Sequence, residues 1–240
     1  PDGVFIVVNA SNTQADLDWM RAHERGFDVR IADQTLEVGM LALQGQRSQA
    51  ILQRLTEGCD LASIGYYKFG WGTVCGLPGT RISRTGYTGE DGFEVYVPER
   101  ETVRVWSALL EAGRDLDLAP IGLGARDILR LEAGMPLYGH EIDAHHNPIE
   151  AGLAFGVSFH PDKGEWLGRQ ALERVKASPT QRLIGITSDG PRVPRQGAEL
   201  CRGAEHADAV GHPERGVAVG VAPGARRAFV ACQHDRAAAV

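Results

Sequence analysis

Apolar runs and helix-like spacings alternate from the first residues of the chain. The β-branched run at residues 4–8 predicts a buried strand. Asn12 or Thr13 is expected to cap a helix that ends near Gly26, because side-chain oxygens favour the first position and glycine the residue after the last. Residues 27–31 then predict another strand. The sequence therefore indicates strand and helix in alternation.

The same alternation continues over residues 38–58. The stretch 38–43 is apolar and is followed by Gly45, and a helix is expected from Ser48 to a stop at Gly58. The spacing of that helix buries Ile51, Leu52 and Leu55.

Glycine is frequent in residues 65–79, which predicts turns or a hairpin. Two strands, 80–87 and 93–97, are expected on either side of the next turn. Side chains alternate between the two faces of a strand. The second strand therefore places Phe93, Val95 and Val97 on one face and Glu94 with Tyr96 on the other.

Helical spacing returns after residue 100. A helix from about Arg100 is predicted with Val103, Trp106, Leu109 and Leu110 facing inward, and another over residues 122–133. Residues 134–152 are loop-like, and further predictions are a helix at 165–175 and a strand at 183–187. Pro and Gly become frequent after Asp189. The pattern indicates an α+β protein with two parts, residues 1–154 and a β-rich domain at 155–240.

Composition narrows the functional classes. The 240 residues are 43% hydrophobic and carry 25 basic and 31 acidic side chains, a net charge of −6. Such a charge disfavours a general nucleic-acid binder, and no window approaches the roughly 20 apolar residues of a membrane span. Four scattered cysteines favour free thiols over a disulfide or metal framework. We therefore expect a soluble, cytoplasmic protein. We also expect the natural chain to start upstream of residue 1, because residue 1 is not Met.

Glu94 is the most informative polar position of the turn at residues 85–94. Three glycines at a spacing of three fit simple hairpin geometry, and no lysine follows as a phosphate-binding loop would require. A carboxylate within an apolar strand is costly unless it is paired or open to a cleft. The turn is therefore either structural or part of a ligand site.

Two other segments have candidate chemistry. The helix at 122–133 is expected to bury Ala125, Ile128 and Leu129. Arg126 and Arg130 are four residues apart on a neighbouring strip of that helix. The two arginines form either a salt-bridged surface or, with Glu94, an anion or ligand site. Residues 140–146 contain three histidines and two acids, but their spacing matches no metal motif and predicts a hydrogen-bonded loop. Asn9 is read as a cap or turn residue.

Several motifs, in order, resemble the aminomethyltransferase (T-protein) family of the glycine cleavage system. The resemblance covers residues 4 to about 200. It is carried by VVNA at 7–10, ALQG at 42–45, RTGYTGEDGFE at 84–94, GARD at 124–127, YGHEID at 138–143 and NPIEAGL at 147–153.

The resemblance implies a folate-binding multidomain fold around a central hole, with a C-terminal β-barrel-like domain. It implies transfer of the one-carbon unit of an aminomethyl-lipoyl carrier, the lipoylated H-protein, to tetrahydrofolate as co-substrate, with release of ammonia. By this resemblance Glu94 is expected to bind the pterin ring, with Arg126 as its partner in the site. Val7 and Asn9 are expected to contact folate, and Tyr87 is a weaker candidate for such a contact. No metal is implied.

The resemblance is not uniform. The family's catalytic aspartate is expected upstream of residue 1, so no residue here inherits that role, and the C-terminal pattern is atypical after about residue 205. Phe155 stands where tryptophan is frequent. Two alternatives are a folate-binding protein of iron–sulfur assembly, whose KGCYxGQE-like segment is absent here, and the folate domain of a dimethylglycine or sarcosine oxidoreductase.

Overall fold

A computed structural model describes residues 3–181, 183 and 229–233. These residues fall into two compact units. The first contains residues 3–122 together with Phe229–Gln233, and the second begins at Leu123. The expected boundary between residues 154 and 155 concerns a C-terminal domain that lies largely outside the described residues, and it stays a prediction.

A mainly antiparallel sheet forms the centre of the first unit. Its strand order is β2-β3-β4-β5-β1-β7-β6, and only β6 and β7 pair in parallel. The predicted hairpin in the glycine-rich segment is confirmed as β3 and β4. The strands are β1 (Val38–Gln44), β2 (Thr56–Glu57), β3 (Phe69–Val74), β4 (Leu77–Ser83), β5 (Gly92–Pro98), β6 (Ala119–Pro120) and β7 (Phe229–Gln233).

Three helices accompany this sheet and confirm the α+β class. They are α1 (Thr13–Ala22), α2 (Ser48–Gln53) and α3 (Thr102–Ala112). The first two start where the sequence predicts. Within the part of the chain that the structure describes, no helix is long and apolar enough to cross a membrane.

The core lies on one face of the sheet, against α2 and α3. The predicted alternation in β5 is confirmed, because its three apolar side chains are almost fully buried whereas Glu94 and Tyr96 on the opposite face are half-buried. Burying each large apolar side chain contributes about 1.5–3 kcal/mol. The core comprises Leu41, Leu43, Ile51, Leu52, Leu61, Ile64, Val74, Ile82, Phe93, Val95, Val97, Val105 and Leu109.

In helix α3 the predicted burial of Leu109 is confirmed and Trp106 packs half-buried against the core, but the predicted burial of Val103 is wrong. Val103 is 73% exposed, and the buried positions are Thr102, Val105 and Leu109. Thr102 packs over Gly39 of β1 so closely that a Cβ on the glycine would overlap its hydroxyl. This contact sets the rotation of the helix, and Val105 rather than Val103 then faces the sheet.

Two predicted strands near the N-terminus are wrong. Residues 4–8 and 27–31 form no strand, and no described strand pairs with them. Val4 and Phe27 are 83% and 72% exposed. An apolar β-branched run becomes a strand only when a neighbouring strand accepts its backbone hydrogen bonds, and local sequence does not supply that neighbour.

The second unit contains α4 (Leu123–Glu132) and α5 (Arg169–Ala177), joined by a long loop. Both helices were predicted, but the expected burial in α4 is wrong: Ala125 and Ile128 are exposed, Leu129 is half-buried and Arg130 is buried. The ion pairs of Arg130, described below, explain why this charged side chain replaces an apolar one. The predicted strand at 183–187 lies outside the described residues except for Leu183.

Val105 and Val103 provide a matched test of the core. Val105→Ala removes two buried methyl groups and should lower the free energy of unfolding by about 2 kcal/mol. Val103→Ala on the exposed side of the same helix should change it by less than about 0.5 kcal/mol. Urea unfolding followed by circular dichroism measures both. Equal effects of the two substitutions would contradict the observed orientation of α3.

Candidate functional site

The connection between β4 and β5 is closed by an ion pair. The Arg84 guanidinium donates to both carboxylate oxygens of Asp91, from Nε at 2.8 Å and Nη2 at 2.7 Å. These hydrogen bonds raise the pKa of Arg84. The carbonyl of Asp91 accepts from the backbone N–H of Gly45 at 2.7 Å, which ties the connection to the end of β1. Asp91 therefore has a structural role.

Gln44 fills the inside of this connection. Its side chain is buried, and its amide nitrogen donates to the carbonyls of Thr85 at 3.2 Å and Phe93 at 3.3 Å. A Cβ on Gly86 or on Gly92 would overlap the Gln44 side chain. Two of the motif's glycines are thus explained by the close approach of one glutamine.

Glu94 lies on the sheet face opposite the core, opposite Ser83 of β4 and Ala42 of β1. One carboxylate oxygen, Oε2, accepts from the Thr85 hydroxyl at 2.5 Å and from the Tyr96 hydroxyl at 3.1 Å. Among the described residues, no donor reaches Oε1 and no cation forms an ion pair with this carboxylate. One oxygen of Glu94 is therefore unoccupied by any described partner.

Tyr96, the tyrosine partner of this carboxylate, lies against an aromatic ring. The Phe5 ring contacts Tyr96 edge-on at 5.2 Å between centroids. The Arg81 guanidinium carbon lies 3.9 Å from the centroid of the Phe5 ring and 4.7 Å from that of Trp71. Burial, followed by the charge and hydrogen bond of Glu94, raises the pKa of Tyr96. Tyr96 therefore stays a neutral phenol and a hydrogen-bond donor throughout the ordinary pH range.

The other predicted site residues of the first unit lie outside its strands, in the N-terminal segment and in the β4–β5 connection. Asn9 is exposed and caps a short 3₁₀ helix, since its side chain accepts from the backbone N–H of Ser11 at 3.1 Å, and its predicted capping role is confirmed. Val7 is 54% exposed, and Tyr87 is half-buried in the β4–β5 connection. Their expected contacts with folate stay predictions.

Arg126 and Arg130 lie in the second unit, on α4. Arg130 is 3% exposed and donates to Glu141 at 2.6 Å and to Asp127 at 2.8 Å. Burial lowers its pKa, but the hydrogen bonds to the two acids outweigh that effect and raise it. The guanidinium of Arg130 is thus occupied by structural ion pairs. For this residue the structure favours the salt-bridge interpretation over a role in an anion or ligand site. Arg126 is half-buried.

Residues 140–146 form the hydrogen-bonded loop that their spacing predicts. Glu141 pairs with Arg130, and the Asp143 carboxylate lies 2.5 Å from Nδ1 of His146. The backbone N–H of His145 is the main cause of the lowered pKa of Asp143, with His146 adding to it. No group of metal-ligating side chains with suitable geometry occurs among the described residues.

The NPIEAGL segment anchors the chain that follows α5. Asn147 accepts from the backbone of Ile149 and Glu150 and donates to the Glu150 carboxylate at 2.6 Å. The other oxygen of Glu150 accepts from Thr180 and from the backbone of Gln181. These contacts lower the pKa of Glu150, with the backbone N–H of Thr180 the largest cause.

Thr85 was missed by sequence reasoning, although its hydroxyl contacts Glu94. Nothing in its local sequence separates it from an ordinary turn residue, because the contact depends on how β4 and β5 are paired. Tyr96 gave a clearer signal, since strand alternation already places it on the face of Glu94. The structure therefore adds two hydroxyl donors to the predicted site.

Gly86→Ala tests the packing of Gln44. The added methyl group must displace the glutamine side chain, and we expect the free energy of unfolding to fall by about 1–3 kcal/mol. Gly3→Ala is the control, because a Cβ there meets no atom within 4 Å. Urea unfolding compares the two variants, and an unchanged midpoint for Gly86→Ala would contradict this account of the glycine.

Glu141→Ala tests the buried ion pair of the second unit. It leaves the buried Arg130 with a single, half-exposed acidic partner, and we expect it to destabilise α4 by about 3–5 kcal/mol. Asp127→Ala removes the acid that is 53% exposed, and its cost should be below about 1 kcal/mol. Amide hydrogen exchange in α4 reports both values. The reverse order of the two effects would refute the dominant role of Glu141.

Comparisons with known proteins identify relatives of this chain. Residues 1–161 match the family described as GCVT N-terminal domain. The aminomethyltransferase of Symbiobacterium thermophilum is 47% identical over 207 residues, which are 84% of this chain and 55% of that protein. That of Chloroherpeton thalassium is 43% identical over 196 residues, 82% of this chain and 53% of its own.

The chain thus spans about half the length of the curated relatives it matches. A solved structure, glycine cleavage system aminomethyltransferase T from Bartonella henselae, matches 70% of this chain and 69% of that chain with 21% identity and a TM-score of 0.48. The family match covers more than half of the chain, and it confirms the resemblance drawn from the motifs. The chain belongs to the GCVT family of aminomethyltransferases.

Proposed function

We propose that this chain acts in tetrahydrofolate-dependent aminomethyl transfer of the glycine cleavage system. In this reaction the one-carbon unit of an aminomethyl-lipoyl carrier passes to tetrahydrofolate, with release of ammonia and of the reduced lipoyl carrier. Membership of the GCVT family supports the proposal. So do the names of the curated relatives, which favour it over the iron–sulfur assembly and oxidoreductase alternatives.

The observation that carries the proposal is the half-occupied carboxylate of Glu94. Two hydroxyls hold its Oε2, and no described donor reaches Oε1. A reduced pterin presents an amino group beside a ring N–H, and a carboxylate is the side chain best suited to accept from them. Glu94 therefore receives the role of pterin acceptor.

Other motif residues receive supporting roles. Arg126 of α4 is a proposed folate-binding residue. Val7 and Asn9 of the N-terminal segment and Tyr87 of the β4–β5 connection are the other proposed folate contacts. Tetrahydrofolate is a co-substrate in this proposal, because it accepts the one-carbon unit and leaves as methylenetetrahydrofolate in each turnover. The lipoylated H-protein is the proposed macromolecular partner, and the proposed location is the bacterial cytoplasm.

Glu94→Gln tests the proposal. The substitution keeps the shape of the side chain but replaces charged hydrogen bonds with neutral ones, and we expect it to weaken the binding of 5-formyltetrahydrofolate by about 1.5–3 kcal/mol. Calorimetric titration of the chain measures the affinity. Glu57→Gln, the same substitution at an exposed edge-strand position, is the matched control and should bind as the unaltered chain does.

Two results would contradict the proposal. One is unchanged affinity after Glu94→Gln. The other is the absence of binding by a chain whose circular dichroism and cooperative unfolding show that it is folded.

A further inference from the structure

The two hydroxyl donors of Glu94 occupy the same carboxylate oxygen. Thr85 Oγ1 and Tyr96 Oη both donate to Oε2, at 2.5 and 3.1 Å. A carboxylate oxygen offers two lone-pair positions, so two donors use the full capacity of Oε2. A ligand that reaches Glu94 while these bonds persist must therefore be accepted at Oε1.

Both donors are themselves held by the fold. The carbonyl of Thr85 accepts from the buried Gln44 amide, and the Tyr96 ring packs edge-on against Phe5. The pKa of Tyr96 is raised, by burial first and by the neighbouring carboxylate next, so its proton remains available for donation. The orientation of the Glu94 carboxylate is thus set from two sides by groups that do not carry a charge.

We propose that Thr85 and Tyr96 are positioning residues that orient Glu94 so that Oε1 is the ligand-accepting oxygen. The inference rests on the proposed folate function and narrows it. In a bidentate arrangement, each of the two carboxylate oxygens would accept one pterin N–H. That arrangement would require the hydroxyl of Thr85 or Tyr96 to leave Oε2. Accepting the ligand at Oε1 keeps all the observed hydrogen bonds, and the hydroxyls then strengthen binding rather than compete with it.

Tyr96→Phe is the principal test, because it removes one donor and keeps the ring that contacts Phe5. We expect the affinity of the chain for 5-formyltetrahydrofolate to fall about fivefold to tenfold, the usual effect of losing one hydrogen bond. Thr85→Val should give a similar loss, and Thr85→Ser, which retains the hydroxyl, should restore most of the affinity. Tyr67→Phe removes a hydroxyl from an exposed tyrosine and should have no effect.

A double-mutant cycle separates positioning from a general structural effect. If Tyr96 acts through the carboxylate, Tyr96→Phe should cause little further loss in a chain that already carries Glu94→Gln. A purely structural role would lower the affinity in both backgrounds. Urea unfolding of each variant confirms that the comparison is between folded proteins.

The outcomes distinguish this inference from the proposed function. Unchanged affinity in Glu94→Gln would overturn the proposed function. Reduced affinity in Glu94→Gln together with unchanged or increased affinity in Tyr96→Phe would overturn the positioning role alone, and an increase would indicate that the hydroxyl competes with the ligand. Failure of Thr85→Ser to restore affinity, or additive losses in the cycle, would also overturn it.

Discussion

Strand β5 is hydrogen-bonded along both edges, and the first unit depends on this constraint. Its pairing with β1 and β4 fixes which side chains face the core. A slip of one residue would exchange Phe93 and Val95 with Glu94 and Tyr96. It would then bury a carboxylate among apolar side chains, at a cost of several kcal/mol or more. Burial on one face therefore determines the position of the polar pair on the other.

The β4–β5 connection links the buried end of β1 to Glu94 through a series of contacts. Gln44 ends strand β1 and reaches into the connection, where Gly86 leaves room for it. Its amide holds the Thr85 backbone, and the Thr85 hydroxyl holds Glu94. Because these contacts follow one another in series, a substitution at Gly86 can alter the orientation of the Glu94 carboxylate on the sheet face opposite the core.

Local patterns predicted those elements whose neighbours are close in sequence. The alternation of β5, the start of α2 and the β3–β4 hairpin follow from periodicity and turn residues. The prediction of a strand at 4–8 was wrong because a strand needs a partner that local sequence does not specify. The predicted burial of Val103 was wrong because Gly39, more than sixty residues earlier, sets the rotation of α3. Thr85 was missed for the same reason, since its contact with Glu94 depends on strand pairing.

Three motif carboxylates contrast in their partners, and the contrast bears on function. Asp91 is paired with Arg84, and Glu141 with the buried Arg130. An arginine partner largely cancels the charge of a carboxylate and occupies it with directional donors. The described partners of Glu94 are hydroxyls, which orient the group without neutralising it. A negative charge that is held in place and not neutralised by any described side chain favours a ligand with N–H donors. This supports Glu94, rather than Asp91 or Glu141, as the ligand-accepting carboxylate.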